Sequence, residues 1–205
     1  MYPASHAAQS HTSSPEACAP PTAAMHAPQT GILDRLARPD LEEAAGAAAT
    51  ASCRVVADAA ERELHLRIRL EVFVREQRLF DTSDHDAHDD DPRTLHVLGL
   101  WGRVAAGTVR LYPLGEPGVW KGDRLAVLGP FRKHGLGGPL VRFAVRTASE
   151  LGGSEMVAQI QLPNVAFFER LGWRRRGEPA DYCGRPHQQM AIGLTAPAAR
   201  SPAPG

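Results

Sequence analysis

The sequence predicts an α/β protein, with a central mixed and mostly antiparallel sheet of six to seven strands and helices on both faces. Three observations lead there. Short β-prone runs separated by turn residues fill the middle of the chain, and amphipathic helical patterns interrupt them at unequal intervals. A basic, glycine-rich loop from Arg132 to Gly138 then joins an apolar strand end directly to a helix.

The 205 residues suit one domain with tails. Basic and acidic residues balance at 23 each, so no global field draws the chain to nucleic acid or to an anionic membrane. Cys18, Cys53 and Cys183 are odd in number, far apart and form no CxxC pair, which argues against a disulfide framework or a zinc site. No apolar run approaches the ~20 residues of a membrane span, and the N-terminus lacks the charged-then-apolar order of a secretory signal. A soluble, cytoplasmic protein is the expectation.

In chain order, residues 1–50 are rich in Ala, Pro, Ser, Thr and His and have few large apolar side chains, so a disordered tail is predicted. Within it, 32–49 has the composition of a short local helix, and His6, His11 and His26 lack the regular spacing of metal ligands. The patterned domain runs over 51–194, and 195–205 reads as a second tail. Residues 53–57 form the first strand. The next segment is ambiguous: Leu64, Leu66, Ile68, Leu70 and Val72 alternate as in a strand, whereas Leu66, Leu70, Phe73 and Gln77 fall at helical spacing.

Asp81 to Pro92 is the most acidic stretch. An EF-hand loop would require glycine at its sixth position and a late glutamate, which no register starting at Asp84 or Asp86 supplies, so a solvated acidic loop is predicted. Runs 95–101 and 104–112 make a hairpin about Gly102-Arg103, with Val109 and Leu111 facing one side and Thr108, Arg110 and Tyr112 the other. A strand over 119–127 enters the glycine loop. The following helix carries Pro139 in its first turn, aligns Leu140, Ala144 and Leu151 with Phe143 beside them, and stops at Gly152-Gly153. A strand over 156–162 follows, then a short helix with Asn164 as N-cap, and strands at 173–176 and 188–194 flank a loop around Tyr182 and Pro186.

The glycine loop has the grammar of an anion cradle, because the free N–H groups of a helix's first turn carry partial positive charge. Gly137-Gly138 is followed by Pro139-Leu140, which excludes the Walker lysine and hydroxyl, and the GxGxxG fingerprint is also absent. Arg132-x-x-Gly135-x-Gly137 instead resembles the acetyl-CoA pyrophosphate loop of the GNAT acetyltransferases. Asn164, the Phe167-Phe168 pair and Leu171-Gly172-Trp173 resemble the second signature of that family, one strand further on. Residues 53–194 are covered by the likeness. Residues 68–77, His96, Arg110-Leu111 and 184–190 look closest to a small bacterial subgroup, some of whose members are linked to nitrilase-type gene clusters. Its first helix makes 68–77 helical here, and acyl-homoserine-lactone synthases share similar first-helix and Arg-Leu elements.

This resemblance implies an N-acetyltransferase that moves acetyl from acetyl-CoA to a primary amine of a small acceptor by direct attack, with no metal. It implies that a bulged strand end at Leu125, Ala126 and Val127 holds the pantetheine arm, with the Val127 N–H near the thioester carbonyl. The diphosphate would rest on Arg132, Lys133, His134, Gly135, Leu136, Gly137 and Gly138, and Asn164 would bond the pantetheine amides. Phe168 stands where many members have a proton-donating tyrosine, leaving Tyr182 and Tyr112 as the core tyrosines able to replace it. Candidate bases are Glu76, His96 and His187. The acidic loop would border the acceptor pocket, and edge strands of this fold often pair into homodimers. Rivals are lactone-synthase-like acyl transfer and a non-catalytic acyl-CoA sensor, the latter suggested by Phe168.

Overall fold

In this computed structural model residues 49–182 and 184–195 are described; the two predicted tails, apart from Ala49, Thr50 and Thr195, and the short helix expected within 32–49 lie outside them, as do Cys18 and Cys183. Strand β1 (Ala51–Val55) leads to helix α1 (Ala59–Arg69), which winds on as a π-helix over Leu70–Glu76. Then come β2 (Leu95–Trp101), β3 (Val104–Pro113) and β4 (Val119–Val127). A 3₁₀ turn (Gly129–His134) precedes α2 (Gly137–Glu150), followed by β5 (Glu155–Gln161), α3 (Val165–Arg170), β6 (Arg174–Tyr182) and β7 (Arg185–Gly193). The seven strands form one sheet in the order β1-β2-β3-β4-β5-β7-β6. All neighbours are antiparallel except β4 and β5. The predicted fold class is the observed one.

The first helix starts nine residues before Ile68, where it was expected to begin. Asp58 caps it, its Oδ1 accepting from the Glu61 N–H at 2.8 Å. Its inward face is His65, Ile68, Arg69, Val72 and Phe73, spaced three and four apart, whereas Leu64 stays 38% exposed. The alternating apolar set was therefore a chance pattern, and tertiary packing chose the helical one.

Helix α2 fills the opposite face with Leu140, Val141, Ala144 and Ala148. Gly107 makes room for it, since a Cβ there would lie 2.8 Å from a Leu140 methyl and 2.9 Å from the Ala126 carbonyl oxygen. Leu151, expected on the buried stripe, lies past the helix end and is 57% exposed. Two further expectations need correction. Asn164 does stand at the N-cap position of α3, but with helical φ and ψ after a 3₁₀ turn and with no capping hydrogen bond from its side chain. The region expected to loop around Tyr182 and Pro186 is a long hairpin, because β6 runs through a bulge near Gly177 whose carbonyls are bonded by Gln188 Nε2 at 2.9 and 3.0 Å.

His65, inaccessible to solvent, meets His96 edge-on at 4.8 Å between ring centroids. Burial first, then the charges of Arg69 and His96, push its pKa down to about 2. The unfolded chain thus takes up a proton at His65 before the folded chain does, and stability falls as pH drops below about 6.5. Urea unfolding at pH 7.5 and 5.5 is expected to show a stability loss that is smaller in His65→Leu by about 1.4 kcal/mol. An equal pH dependence in the two proteins would refute the assignment.

Candidate active site

The site begins where two strands part. β4 and β5 pair only between Val119–Lys121 and Glu155–Val157. Beyond that, β4 continues against β3 and β5 against β7, so the sheet opens as a wedge. An extra residue in β4 strengthens the departure: Thr108 pairs with Ala126 but Arg110 with Asp123, and Arg124 absorbs the bulge at φ 51°. Leu128 N–H bonds the Ala106 carbonyl, so by antiparallel alternation the Val127 N–H and C=O turn from β3 into the gap. A cleft of about 150 Å³ runs through this wedge, from Phe73 and Phe80 on the α1 side to Val141 and Trp173 on the α2 side.

The glycine loop follows the end of β4; Leu125, Asn164 and Phe168 of the expected donor-binding residues line the cleft, and Ala126, Val127 and 132–138 do not. Gly135 adopts φ 73°, ends the 3₁₀ turn by donating its N–H to the Arg132 carbonyl, and turns the chain into α2. Leu140 N–H to the Leu136 carbonyl is an early bond of that helix, leaving the Leu136 and Gly137 amides at its open end. This end is basic, with Arg132, Lys133 and His134 in the preceding turn. Those side chains are not all turned outwards. Arg132 donates to both Glu76 carboxylate oxygens at 2.6 Å and to the Val127 carbonyl at 2.9 Å, and His134 stacks on Trp101 at 4.5 Å.

The four residues expected to move protons separate into two pairs. Glu76 is held by Arg132 and does not line the cleft. His96 is buried on β2, its Nε2 3.3 Å from the Asp89 carbonyl and its ring against His65, again away from the cleft. His187 and Tyr182 do line it, ring against ring at 5.3 Å. The 2.8 Å contact of His187 Nδ1 with the Arg185 carbonyl makes Nδ1 the protonated nitrogen and leaves Nε2 a free acceptor. The Tyr182 hydroxyl is buried without a hydrogen-bond partner. Asn164 and Phe168 also border the cleft, with Phe168 5% exposed and packed edge-on against Trp173. Tyr112 turns away, bonding Asp123 at 3.5 Å under a stacked His88.

A feature that the sequence reading missed lies beside the cleft. The acidic stretch is solvated only in part: Asp81 and Asp90 are exposed, but Asp84, Asp86 and Asp89 turn inwards. Asp84, Asp86, Asp89 and Asp123 meet Arg69, Arg110 and Arg124 in a buried network. Burial opposes ionisation of Asp86, Asp89 and Asp123, but their arginines outweigh it and hold all three below the usual carboxylate range. The available signal was Arg110 between buried apolar neighbours on β3, since a strand position covered on both faces accepts a guanidinium only when carboxylates come to it.

A sheet parted between β4 and β5, with a glycine turn leading from the end of β4 into α2, defines the class of α/β fold. The chain belongs to the acetyltransferase (GNAT) family, whose pattern matches residues 54–173. A Bacillus subtilis protein provisionally assigned as an acetyltransferase is 33% identical over 133 residues, which span 63% of this chain and 89% of the relative. Two solved structures share the fold. An acyl-CoA N-acyltransferase from Pseudomonas aeruginosa gives a TM-score of 0.61 at 24% identity, covering 70% of this chain and 99% of that one. The CoA-dependent acyl-homoserine lactone synthase BjaI, solved with SAM and isopentyl-CoA, gives 0.60 at 21%, covering 72% and 84%.

The Glu76–Arg132 pair competes with any anion in the cradle. Both side chains are more than two-fifths exposed, so the pair is worth no more than about 1 kcal/mol. Glu76→Gln is expected to tighten CoA binding by up to about fivefold in calorimetry, because it frees Arg132 and removes a negative charge. Weaker binding in the variant would show that Glu76 supports the cradle rather than opposing the ligand.

Proposed function

We propose that this protein is an N-acetyltransferase that moves the acetyl group of acetyl-CoA to a primary amine of a small acceptor, by direct attack within a ternary complex. The observation that carries this reading is the parting of β4 from β5, with the basic glycine turn following the end of β4 and with Tyr182 and His187 lining the cleft in the gap.

The residues fit such a donor. The open amides of Leu136 and Gly137, with Lys133 and a released Arg132, suit a diphosphate, and the Val127 N–H facing the gap suits an amide carbonyl of an extended arm, as does the Val127 C=O an amide N–H once Arg132 leaves it. Acetyl-CoA supplies a thioester carbonyl open to attack by nitrogen. As the N–C bond forms and the C–S bond breaks, the amine gives up a proton and the thiolate gains one. His187 Nε2 is the free acceptor at the cleft and takes the first, directly or through one water. The Tyr182 hydroxyl, buried and unpartnered, supplies the second, filling the role that Phe168 lacks the chemistry to perform.

A second reading, acyl-CoA binding without transfer, is favoured by Phe168. A third, long-chain acyl transfer as in a lactone synthase, draws on the likeness to BjaI. The experiment combines calorimetry with CoA and thiol release across an amine panel and an acyl-length series. The expected outcome is sub-millimolar CoA binding and fastest release from acetyl-CoA. Gly135→Glu is expected to abolish binding, since the new side chain strains a φ of 73° and places a carboxylate at the anion cradle. Tyr182→Phe is expected to lower kcat by about tenfold to a hundredfold with CoA affinity retained. Binding without release from any amine would establish the second reading, and a preference for long chains the third. Absence of CoA binding would overturn the assignment.

A further inference from the structure

Strand β4 offers two opposite charges to the acceptor end of the cleft. Lys121 and Asp123 are two residues apart, so they share a face of the sheet, and both line the cleft. Their states differ. Asp123 receives Arg110 Nε on Oδ1 at 2.8 Å, and Arg110 Nη2 at 2.7 Å with the Tyr112 hydroxyl at 3.5 Å on Oδ2, which leaves Oδ1 the less occupied oxygen of a carboxylate that lines the cleft. The Lys121 ammonium sits 5.5 Å from the centroid of the Tyr182 ring, and no carboxylate of the described residues lies within ion-pair distance. Arg124, the other cleft cation on this strand, is fully committed to Asp84 and Asp86 and stacks on Phe80. Lys121 is therefore a cleft cation whose contacts are a ring face and open space. The Tyr182 hydroxyl beside it is a second buried donor with nothing to bond.

The charge balance narrows what fits. Three guanidinium groups (Arg69, Arg110, Arg124) face four carboxylates (Asp84, Asp86, Asp89, Asp123), so the buried cluster keeps one negative charge in excess, and Lys121 balances it without touching it. A bare amine or a simple anion would upset that balance in a half-buried space, at a cost in desolvation. A ligand carrying both charges would not.

We infer that the acceptor is a zwitterion of the amino-acid class, with its carboxylate on Lys121 and its ammonium directed to Asp123 before the nitrogen is deprotonated. This rests on the acetyl-transfer reading for the fate of the nitrogen, but the binding claim stands apart from it. The carboxylate is the recognition handle, and Lys121 is the residue that sets specificity. The dipole of the β4 wall orients the molecule so that its nitrogen, rather than its acid, faces the wedge.

The test is calorimetry on the CoA-loaded protein with a panel of α- and ω-amino acids, each paired with its methyl ester and its decarboxylated amine, followed by thiol-release assays on the same panel. The expected result is at least one free amino acid binding about tenfold or more tighter than its ester, the contribution of one charge-assisted hydrogen bond. Lys121→Met, which keeps the aliphatic stem over Tyr182, is expected to bring that ratio towards one, and Lys121→Arg to restore most of it. Esters binding as well as acids, no panel acid binding, or a ratio untouched by Lys121→Met would each overturn the inference. Lys121-dependent binding without acetylation would sink the transfer reading and leave this one standing. Equal acetylation of acids and esters would do the reverse.

Discussion

The parting of β4 from β5 after three paired residues is the constraint around which this molecule is arranged. Two parallel strands in one sheet would ordinarily continue side by side, satisfying their backbone groups against each other. Here, past those three residues, each strand pairs only with its other neighbour, β4 with β3 and β5 with β7, and the inner edges are left facing a gap. A row of backbone donors and acceptors beside apolar walls is a template for an extended amide-bearing ligand. The helix that begins at Gly137 lines the same gap with Val141 and Ala144. Fold and ligand site are thus one feature.

The buried arginine–aspartate network keeps the gap open on the α1 side. Arg124 sits at the β4 bulge and is drawn by Asp84 and Asp86, which ties the strand's irregularity to the acidic segment. Arg69 from α1 and Arg110 from β3 reach the same carboxylates, so helix, loop and two strands are fixed relative to one another. Such a network contributes little net stability over a well-packed apolar core, yet removal of one partner leaves a buried charge uncompensated at about 3–5 kcal/mol. Its effect is positional. It settles where the β4 wall of the cleft stands, and Lys121 is the cleft cation left outside the network.

Legibility in the sequence followed the range of the interactions. The β2–β3 hairpin, β4, the glycine turn and α2 were readable because turn chemistry and period-two or period-3.6 patterning act between near neighbours. The onset of α1 was misplaced although Asp58 and Glu61 stood at capping spacing, because the alternating leucines competed with the signal. The β6–β7 hairpin was read too short, since its outer strand is almost wholly exposed and carries no apolar alternation to detect. At the site, the residues of the glycine turn could be named from spacing. Which proton-moving candidates reach the cleft could not: Glu76 and His96 are taken by Arg132 and by the buried histidine pair, while His187 and Tyr182 arrive from the last hairpin.

By itself the sequence determined the class of fold and the place of the glycine turn before α2, because glycine's freedom at positive φ, the amide-rich helix start and hydrophobic periodicity are properties of contiguous residues. Only the tertiary structure decided that the acidic stretch supplies a buried counter-charge, that Arg132 leans on Glu76, and that Lys121 faces the cleft without a carboxylate. Those outcomes depend on pairings across 15 to 56 residues of chain, as between Arg69 and Asp84 or Glu76 and Arg132. Charge carries no periodicity that would announce its partner. Electrostatic complementarity is fixed only once packing has set which side chains lose water together.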